Sequence, residues 1–131
     1  MPITGECFCG AISYQYNGKP GKTISCHCSR CRKAFNAQAS ASVFIDPDQF
    51  QWLSGEALLS SFIGKQGFGV QFCKTCGSTL CTVHHGKVFQ LTLGCINGSP
   101  DIKIDQHIFV GSKASWEVMP EGVVQLQEGA E

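Results

Sequence analysis

Short apolar stretches recur along this chain, and most are too brief to form a helix with one buried face. In residues 11–16, small or polar positions alternate with Ile12, Tyr14 and Tyr16, which is the period of a β-strand with one buried side. Further strand-like stretches occupy residues 23–25, 40–45, 50–53, 57–63, 70–72, 79–83, 88–93, 104–110 and 115–119. The pattern predicts a mostly β fold.

Turn-forming residues separate these stretches and leave few helical positions. Residues 17–22 and 64–69 contain the Gly, Pro and Asn residues typical of loops. Residues 84–87, His-His-Gly-Lys, predict the turn of a hairpin. Residues 32–37 can form one or two helical turns that end at Asn36, because asparagine tolerates the left-handed backbone conformation. We therefore expect only a few short helices.

The length of 131 residues fits one domain, and no repeat, linker or low-complexity segment divides the chain. A domain of this size buries about two-thirds of the surface of its unfolded chain, which permits an ordinary apolar core. We expect a single domain over residues 1–131.

Composition excludes several classes of partner. Ten Lys and Arg residues balance ten Asp and Glu residues, whereas a protein that binds nucleic acid through phosphates needs an excess of cations. No apolar run approaches the roughly 18 residues of a membrane span, and the first residues lack the features of a signal peptide. We therefore expect no nucleic-acid or membrane partner and a cytoplasmic location, where thiols stay reduced.

Nine cysteines are many for a cytoplasmic chain, and their spacing indicates metal binding. Cys26, Cys28 and Cys31 fall within six residues in the pattern C-x-C-x2-C. Thiolates packed this closely repel each other unless a cation lies between them, and Zn²⁺ with four tetrahedral ligands is the usual solution. This cluster supplies three ligands, so the fourth comes from elsewhere in the chain or from water or substrate.

Two cysteine pairs lie outside that cluster, namely Cys7 with Cys9 and Cys73 with Cys76. Joining the pairs gives one closed four-cysteine site, which is structural because its binding energy is folding energy. The remaining three cysteines then hold a second zinc with an open position. In the alternative, only one zinc binds and the other cysteines are buried fillers, or every site is structural.

Cys81 and Cys95 could complete the second tetrahedron, although a lone cysteine in a strand is more often a small core residue. Zn²⁺ with three thiolates carries a net charge of minus one. Nearby cationic side chains could offset this charge and attract the carboxylates of an anionic thiol, or they could simply be solvated surface. These side chains are Arg30, Arg32, Lys33 and His27.

Four ordered motifs cover nearly the whole chain. They are Gly5-x-Cys7-x-Cys9-Gly10-x3-Tyr14, Cys26-His27-Cys28-x2-Cys31-Arg32-Lys33, Phe72-Cys73-x2-Cys76-Gly77-Ser78-x-Leu80 and His107-Ile108-Phe109-Val110-x-Ser112-Lys113-x2-Trp116. In these motifs the chain resembles the glutathione-dependent formaldehyde-activating enzyme family, also called the centromere protein V family. The resemblance implies an Mss4-like, β-rich zinc-binding fold.

The resemblance also implies metals and a reaction. It implies two zinc ions per chain, a structural one on the cysteines at positions 7, 9, 73 and 76 and a catalytic, labile one on those at positions 26, 28 and 31. The family's reaction joins glutathione to formaldehyde as S-hydroxymethylglutathione, which is formally the work of a carbon–sulfur lyase. The expected partners are therefore a small thiol and a small aldehyde. No catalytic residue beyond the second zinc is assigned, and neither is an oligomeric state.

The chain departs from the family pattern in being shorter and in having Asn36 where glycine is common. His107, Lys113 and Trp116 recur in the family without an evident chemical role; we expect Trp116 and Ile108 in the core. We expect His84 and His85 to be exposed turn residues. Phe35 and Phe44 either line a pocket near the second zinc or pack in the core.

Two other functions use the same residues. The first is a non-catalytic, zinc-dependent binding module of the Mss4-like type, which acts through protein contacts. The second is thiol redox chemistry or zinc buffering. An exchangeable second zinc favours the enzyme, whereas four protein thiolates on both zinc ions favour the binding module.

Overall fold

The structure is a computed structural model that describes residues 2–131. The strands are β1 (Ile3–Glu6), β2 (Ser13–Tyr16), β3 (Thr23–Cys26), β4 (Ser40–Phe44), β5 (Phe50–Ser54), β6 (Leu59–Ile63), β7 (Phe68–Cys73), β8 (Thr79–His84), β9 (Lys87–Thr92) and β10 (Gln106–Ile108). The α-helix is α1 (Ser29–Phe35), and 3-10 helices are Pro47–Gln49, Glu56–Leu58, Leu93–Cys95 and Val110–Ser112. This confirms the predicted mostly β fold with few short helices.

The chain divides into two compact units. The first unit comprises the chain up to Gly21 together with Val43–Asp101, and the second comprises Lys22–Ser42 together with Ile102–Glu131. The expectation of a single domain stays a prediction. Within residues 2–131, no helix has both the length and the apolar character that crossing a membrane requires.

In the first unit, β1, β2 and β5 form an antiparallel sheet. Tyr14 and Tyr16 on β2 are fully buried, as their alternation with polar residues predicts. The Tyr14 ring lies 5.3 Å from Phe50 and 6.0 Å from Trp52 between centroids. It also lies against Gly5, where a Cβ atom would collide with it. Glycine is therefore needed at this position of β1 for the tyrosine to pack.

The same unit contains an antiparallel series of strands in the order β9, β8, β7 and β6. Leu80 and Val83 on β8 and Leu91 on β9 are among its buried apolar side chains. His85 and Gly86 join β8 to β9 with φ angles of 50° and 81°. Two successive positive φ values are the geometry of the tight hairpin turn that the sequence predicts.

In the second unit, β3 pairs with β10 in parallel, with Cys26 opposite Ile108. The C-terminal tail then lies along β10, because the backbone N–H of Leu126 donates to the His107 carbonyl at 2.8 Å. Ile108 is buried, as predicted. The helix α1 ends at Asn36, whose φ of 54° gives the predicted left-handed C-cap.

The C-terminal region departs from two expectations. Residues 115–119 do not form a strand; they form a turn in which the Glu117 N–H donates to the Ala114 carbonyl at 3.1 Å. Trp116 is 69% exposed rather than part of the core. The cause lies upstream, where Phe109 adopts a left-handed conformation with φ of 53° and the chain enters a 3-10 helix. This bend ends the extended backbone before residue 115.

Two predicted strands are shorter in the structure, and one observed strand was not predicted. Only Gln106–Ile108 of the stretch 104–110 pairs as a strand. The start of the stretch 57–63 belongs to a 3-10 helix, Glu56–Leu58, that follows Gly55 in the left-handed conformation. The unpredicted strand β1 lacks a clear alternating pattern, because glycine occupies a buried position in it.

Candidate metal centres

The first cysteine cluster lies in the first unit and is built from two similar turns. Cys7 and Cys9 follow β1, and the Gly10 N–H donates to the Cys7 carbonyl at 2.9 Å. Cys73 ends β7, and the Gly77 N–H donates to the Cys73 carbonyl at 2.8 Å. Each glycine has a φ of 80°, which residues with a side chain rarely adopt. The glycines therefore let each turn place two sulfur atoms on one side.

The four sulfur atoms of this cluster have the spacing of a tetrahedral zinc site. All lie within 4.8 Å of one another. The Cys7 and Cys9 sulfurs are 3.6 Å apart, and those of Cys9 and Cys73 are 3.8 Å apart. Zn–S bonds of about 2.3 Å in a tetrahedron give an S–S separation of about 3.8 Å. The Ile12 N–H also donates to Cys7 Sγ at 3.3 Å, as is usual for metal-bound thiolates. The cluster thus fits zinc.

Without a bound metal, the thiols of Cys76 and Cys9 in this cluster differ in pKa. Burial raises the pKa of Cys76, but hydrogen bonds from the backbone N–H groups of Ser78 and Cys9 outweigh it and lower the pKa to about 6. The Ala11 N–H favours the Cys9 thiolate, yet the neighbouring thiols, Cys7 first, raise the pKa of Cys9 to about 11. Four thiolates at this spacing therefore need a cation to be ionised together.

The second cysteine cluster lies in the second unit, where β3 meets α1. Cys26 is the last residue of β3, Cys28 is the N-cap of α1, and Cys31 lies in its first turn. The Cys31 N–H donates to Cys28 Sγ at 3.4 Å, and the three sulfurs lie within 4.8 Å of one another. Among residues 2–131, no fourth histidine, cysteine or carboxylate side chain belongs to this cluster. Three soft sulfur donors fit zinc and leave one tetrahedral position.

Hydrogen bonding within the second cluster shifts the pKa values of Cys31 and Cys26 in opposite directions. A hydrogen bond with Cys26 is the largest of the effects that lower the pKa of Cys31 to about 6, and the Ser40 hydroxyl and the Arg30 charge act in the same direction. The same contact, together with burial, raises the pKa of Cys26 well above its usual value. Cys31 is therefore more readily ionised than Cys26. The buried Ser40 hydroxyl is a neighbour of this cluster that no sequence motif indicates.

His27 lies between two cysteines of this cluster and is fully buried. Its Nε2 atom is 3.0 Å from Nδ1 of His107, and Ser25 Oγ is 3.4 Å from the same Nε2 atom. Burial, followed by the nearby His107, lowers the pKa of His27 and favours the neutral ring. His27 is thus a poor source of the positive charge that the sequence suggested. The cations left to offset the negative charge of the cysteine thiolates are Arg30, Arg32 and Lys33.

Cys81 and Cys95 join neither cluster, and Cys81 has the core position that a lone cysteine in a strand predicts. Cys81 is fully buried and its thiol donates to Gln71 Oε1 at 3.4 Å. Burial raises the pKa of Cys81 to about 12. Cys95 is half-buried, with its sulfur 3.6 Å from Ser78 Oγ.

The remaining aromatic candidates are half-buried or exposed. His85 is exposed in the hairpin turn as predicted, whereas half-buried His84 stacks on Phe68 with centroids 3.8 Å apart. Phe44 packs against Phe89 at a centroid distance of 6.2 Å, which supports a packing role for Phe44. Phe35 is half-buried at the end of α1.

The family model described as glutathione-dependent formaldehyde-activating enzyme matches residues 2–112. The chain belongs to this family. Among curated proteins, none shows significant sequence similarity to it. The fold is similar to the crystal structure of a Rhodobacter sphaeroides protein from a structural genomics programme, with a TM-score of 0.58 and 20% sequence identity over 75% of this chain and 91% of that chain. Family and cysteine clusters together make this a metal-binding member, with zinc the metal that both support.

Proposed function

We propose that this protein is a zinc-dependent enzyme of the carbon–sulfur lyase type that adds a thiol such as glutathione to a small aldehyde such as formaldehyde. The observation that carries the proposal is the second cluster, which brings together three cysteine sulfurs and no fourth side-chain ligand from residues 2–131. The family description supports the same chemistry. In this proposal, the first cluster holds a structural zinc and the second holds a catalytic, labile zinc.

The residues of the second cluster have distinct tasks in this reaction. Cys26, Cys28 and Cys31 hold the metal, and β3 and α1 fix their spacing. When bound, zinc supplies a lowered thiol pKa, so that the substrate thiolate is available at neutral pH. A substrate thiolate at this cluster would add a further negative charge, which the cations of α1, Arg30, Arg32 and Lys33, would partly offset.

The chemical step balances without an oxidant or reductant. The thiolate sulfur donates an electron pair to the aldehyde carbon and a C–S bond forms. The π electrons of the C=O bond move to oxygen, which takes a proton from solvent, and the product is a hemithioacetal. The reverse step breaks the C–S bond and returns thiol and aldehyde. Positioning of the two reactants is the contribution expected of the protein.

We also propose a cytoplasmic location and small-molecule partners, a thiol and an aldehyde. None of the nine cysteines forms a disulfide, which suits the reducing cytoplasm. The balanced charge and the metal clusters favour small-molecule substrates over nucleic acid.

A zinc-dependent binding module without turnover is the second candidate. It is favoured by Phe8, whose apolar side chain is 91% exposed between two cysteines of the first cluster. An exposed aromatic side chain on a turn can anchor a protein partner.

The two candidates are separated by measuring exchange at equilibrium, because glutathione and formaldehyde also combine without a catalyst. Exchange NMR would compare the wild-type protein with Cys28→Ser and with Cys81→Ala, a matched change of a cysteine outside both clusters. We expect accelerated exchange for wild type and Cys81→Ala and the buffer rate for folded Cys28→Ser. Zinc-edge absorption should show a site with three protein sulfurs that gains a sulfur when thiol is added. Four protein sulfurs on both metals, with exchange at the buffer rate, would support the binding module instead.

A further inference from the structure

The strand β6 is the outer edge of the larger antiparallel series in the first unit. Its inner side pairs with β7, from Leu59 opposite Cys73 to Ile63 opposite Gly69. No strand among residues 2–131 pairs with its outer side. The backbone groups of an unpaired edge can pair with a strand of another chain. The outer side of β6 is therefore a surface to which a second chain can add.

The register of β6 on β7 determines which backbone groups face outward. The Gly64 N–H donates to the Phe68 carbonyl at 2.7 Å, and the Lys74 N–H donates to the Leu58 carbonyl at 2.9 Å. Along an antiparallel pair, residues that bond to the neighbouring strand alternate with residues that do not. The even-numbered residues of β6 therefore direct their backbone groups toward β7, and the odd-numbered residues direct theirs outward.

The outward residues of β6 are Leu59, Ser61 and Ile63, and their order is self-complementary about Ser61. When a second copy of β6 runs antiparallel with the two Ser61 residues opposite each other, Leu59 lies opposite Ile63 of the other copy. Each outward residue then meets an outward residue, and each such pair exchanges two backbone hydrogen bonds. The edge is thus a matching surface for itself.

The side chains of β6 suit the same pairing. Phe62 is 71% exposed and Ile63 is 48% exposed. In the pairing about Ser61, Phe62 lies opposite Ser60 of the other copy and diagonal to the other Phe62, a separation that aromatic side chains can span. The two phenylalanine rings would remove apolar surface from water by covering each other.

The distribution of charge also favours a second copy. Residues 57–64 contain no charged residue and no proline, which are the residues that usually block an edge strand. Exposed Glu56 and Lys65 flank this stretch with opposite charges. A twofold axis at Ser61 brings Glu56 of one copy to the same end as Lys65 of the other, where they attract. The net charge of zero adds no overall repulsion between copies.

We propose that two copies of this protein associate through β6 as a twofold-symmetric dimer, with the two strands antiparallel about Ser61. Both copies use the same surface, as twofold symmetry requires. Pairing of two five-residue strands is small beside the standard interface of about 1,200–2,000 Å², so the dimer is weak and dissociates on dilution. The dimer is independent of the proposed catalysis, because β6 contains no cysteine of either cluster.

The first test places charge on the twofold axis. Sedimentation velocity of the zinc-loaded protein, with a reductant present, should show a dimer whose fraction rises with protein concentration. Ser61→Lys and Ser61→Glu each place like charges opposite each other, so each variant should dimerise at least about fivefold more weakly than wild type. An equimolar mixture of the two variants should recover the dimer, because unlike charges then meet.

Matched controls are Ser99→Lys and Ser99→Glu, which make the same changes at an exposed serine outside β6. Both should dimerise as wild type does. Circular dichroism checks that the Ser61 variants fold, which we expect because Ser61 is exposed.

Amide exchange of the wild-type protein distinguishes pairing at this edge from any other contact between copies. As protein concentration rises, hydrogen exchange measured by NMR should slow at the amides of Leu59, Ser61 and Ile63. The amides of Ser60 and Phe62 already face β7 and should change less. This alternation does not depend on any variant.

Three outcomes would overturn the proposal. They are a monomer at every concentration tested, a dimer that the Ser61 variants weaken no more than the Ser99 variants do, and equal slowing of exchange at all five amides of β6. Failure of the mixed Ser61 variants to recover the dimer, with both variants folded, would likewise contradict a twofold axis at Ser61.

Discussion

The two cysteine clusters use the same ligand atom but differ in what they connect. The first joins residues far apart in the chain, with Cys9 and Cys73 separated by 64 positions. The second is local, because Cys26 and Cys31 are joined by the start of α1. Closing the longer loop costs about 2 kcal/mol more chain entropy than closing the shorter one. We therefore expect a metal on the first cluster to stabilise the whole fold and a metal on the second to order mainly one turn.

The largest expected effect of a single change is loss of the fold on Cys73→Ser. Cys73 is fully buried and ends β7, and within residues 2–131 only Cys7, Cys9 and Cys76 are grouped with it as possible ligands. Its replacement therefore leaves three of four ligands. Structural zinc contributes about 10–16 kcal/mol, comparable with the whole stability of a domain at about 5–15 kcal/mol. Circular dichroism and zinc analysis of the purified variant should show an unfolded or aggregated chain. A folded Cys73→Ser protein with unchanged thermal stability would remove the distinction between the clusters.

Metal removal should distinguish the clusters within one molecule. A mild chelator is expected to take one zinc equivalent at least about tenfold faster than the other, because the second cluster supplies only three protein ligands. Metal release would be followed with a chromogenic chelator and the fold by circular dichroism in the same sample. The first equivalent should leave without a change in ellipticity, and the second should leave with unfolding. Release of both in a single phase would show that the clusters are equivalent.

Cys81→Ala measures how much a buried cysteine outside both clusters contributes to the free energy of unfolding. Cys81 is fully buried in the first unit but outside both clusters. We expect a loss of about 1–2 kcal/mol in the free energy of unfolding, typical of a small core truncation, with zinc content unchanged. Urea unfolding provides the measurement. Loss of one zinc equivalent in Cys81→Ala would mean that this thiol completes a metal site.

The cost of Cys81→Ala should itself depend on pH. Burial raises the pKa of Cys81 from 9.0 to about 12, so above pH 9 the unfolded chain loses a proton that the folded chain keeps. The stabilising effect of the folded state's higher pKa is fully present below pH 9 and is lost as pH rises toward 12. Wild type should thus lose up to about 1.4 kcal/mol per pH unit that Cys81→Ala does not lose. Urea titrations at pH 8 and pH 10 should show the difference between the two proteins shrinking, and a constant difference would contradict the shift.

The cysteine spacing alone predicts the partition of the clusters, because the constraint is local chemistry. Four tetrahedral ligands allow few groupings of two pairs and a triplet, and the turns that shape each pair carry their own glycines, Gly10 and Gly77. The hairpin after β8 and the cap at Asn36 follow from local backbone preferences in the same way. In each case, neighbouring residues determine the geometry.

Features that depend on distant residues were not predicted. The His27–His107 contact requires the parallel pairing of β3 with β10, and no local pattern specifies a partner strand. The expected strand over residues 115–119 is wrong because Phe109 bends the chain, although an aromatic residue rarely adopts a positive φ. Exposure of Trp116 follows from the same bend, and a large apolar residue gives no sign of it in sequence.

The local character of the second cluster also determines when it can form during synthesis. Its three cysteines emerge from the ribosome together, and at about 5–20 residues per second they precede Cys73 by several seconds. The partner strand β10 emerges later still. A growing chain therefore carries all three thiols of the second cluster at a stage when the first cluster still lacks Cys73 and Cys76. We therefore expect newly made molecules to bind zinc first at the second cluster, which we also expect to bind zinc more weakly.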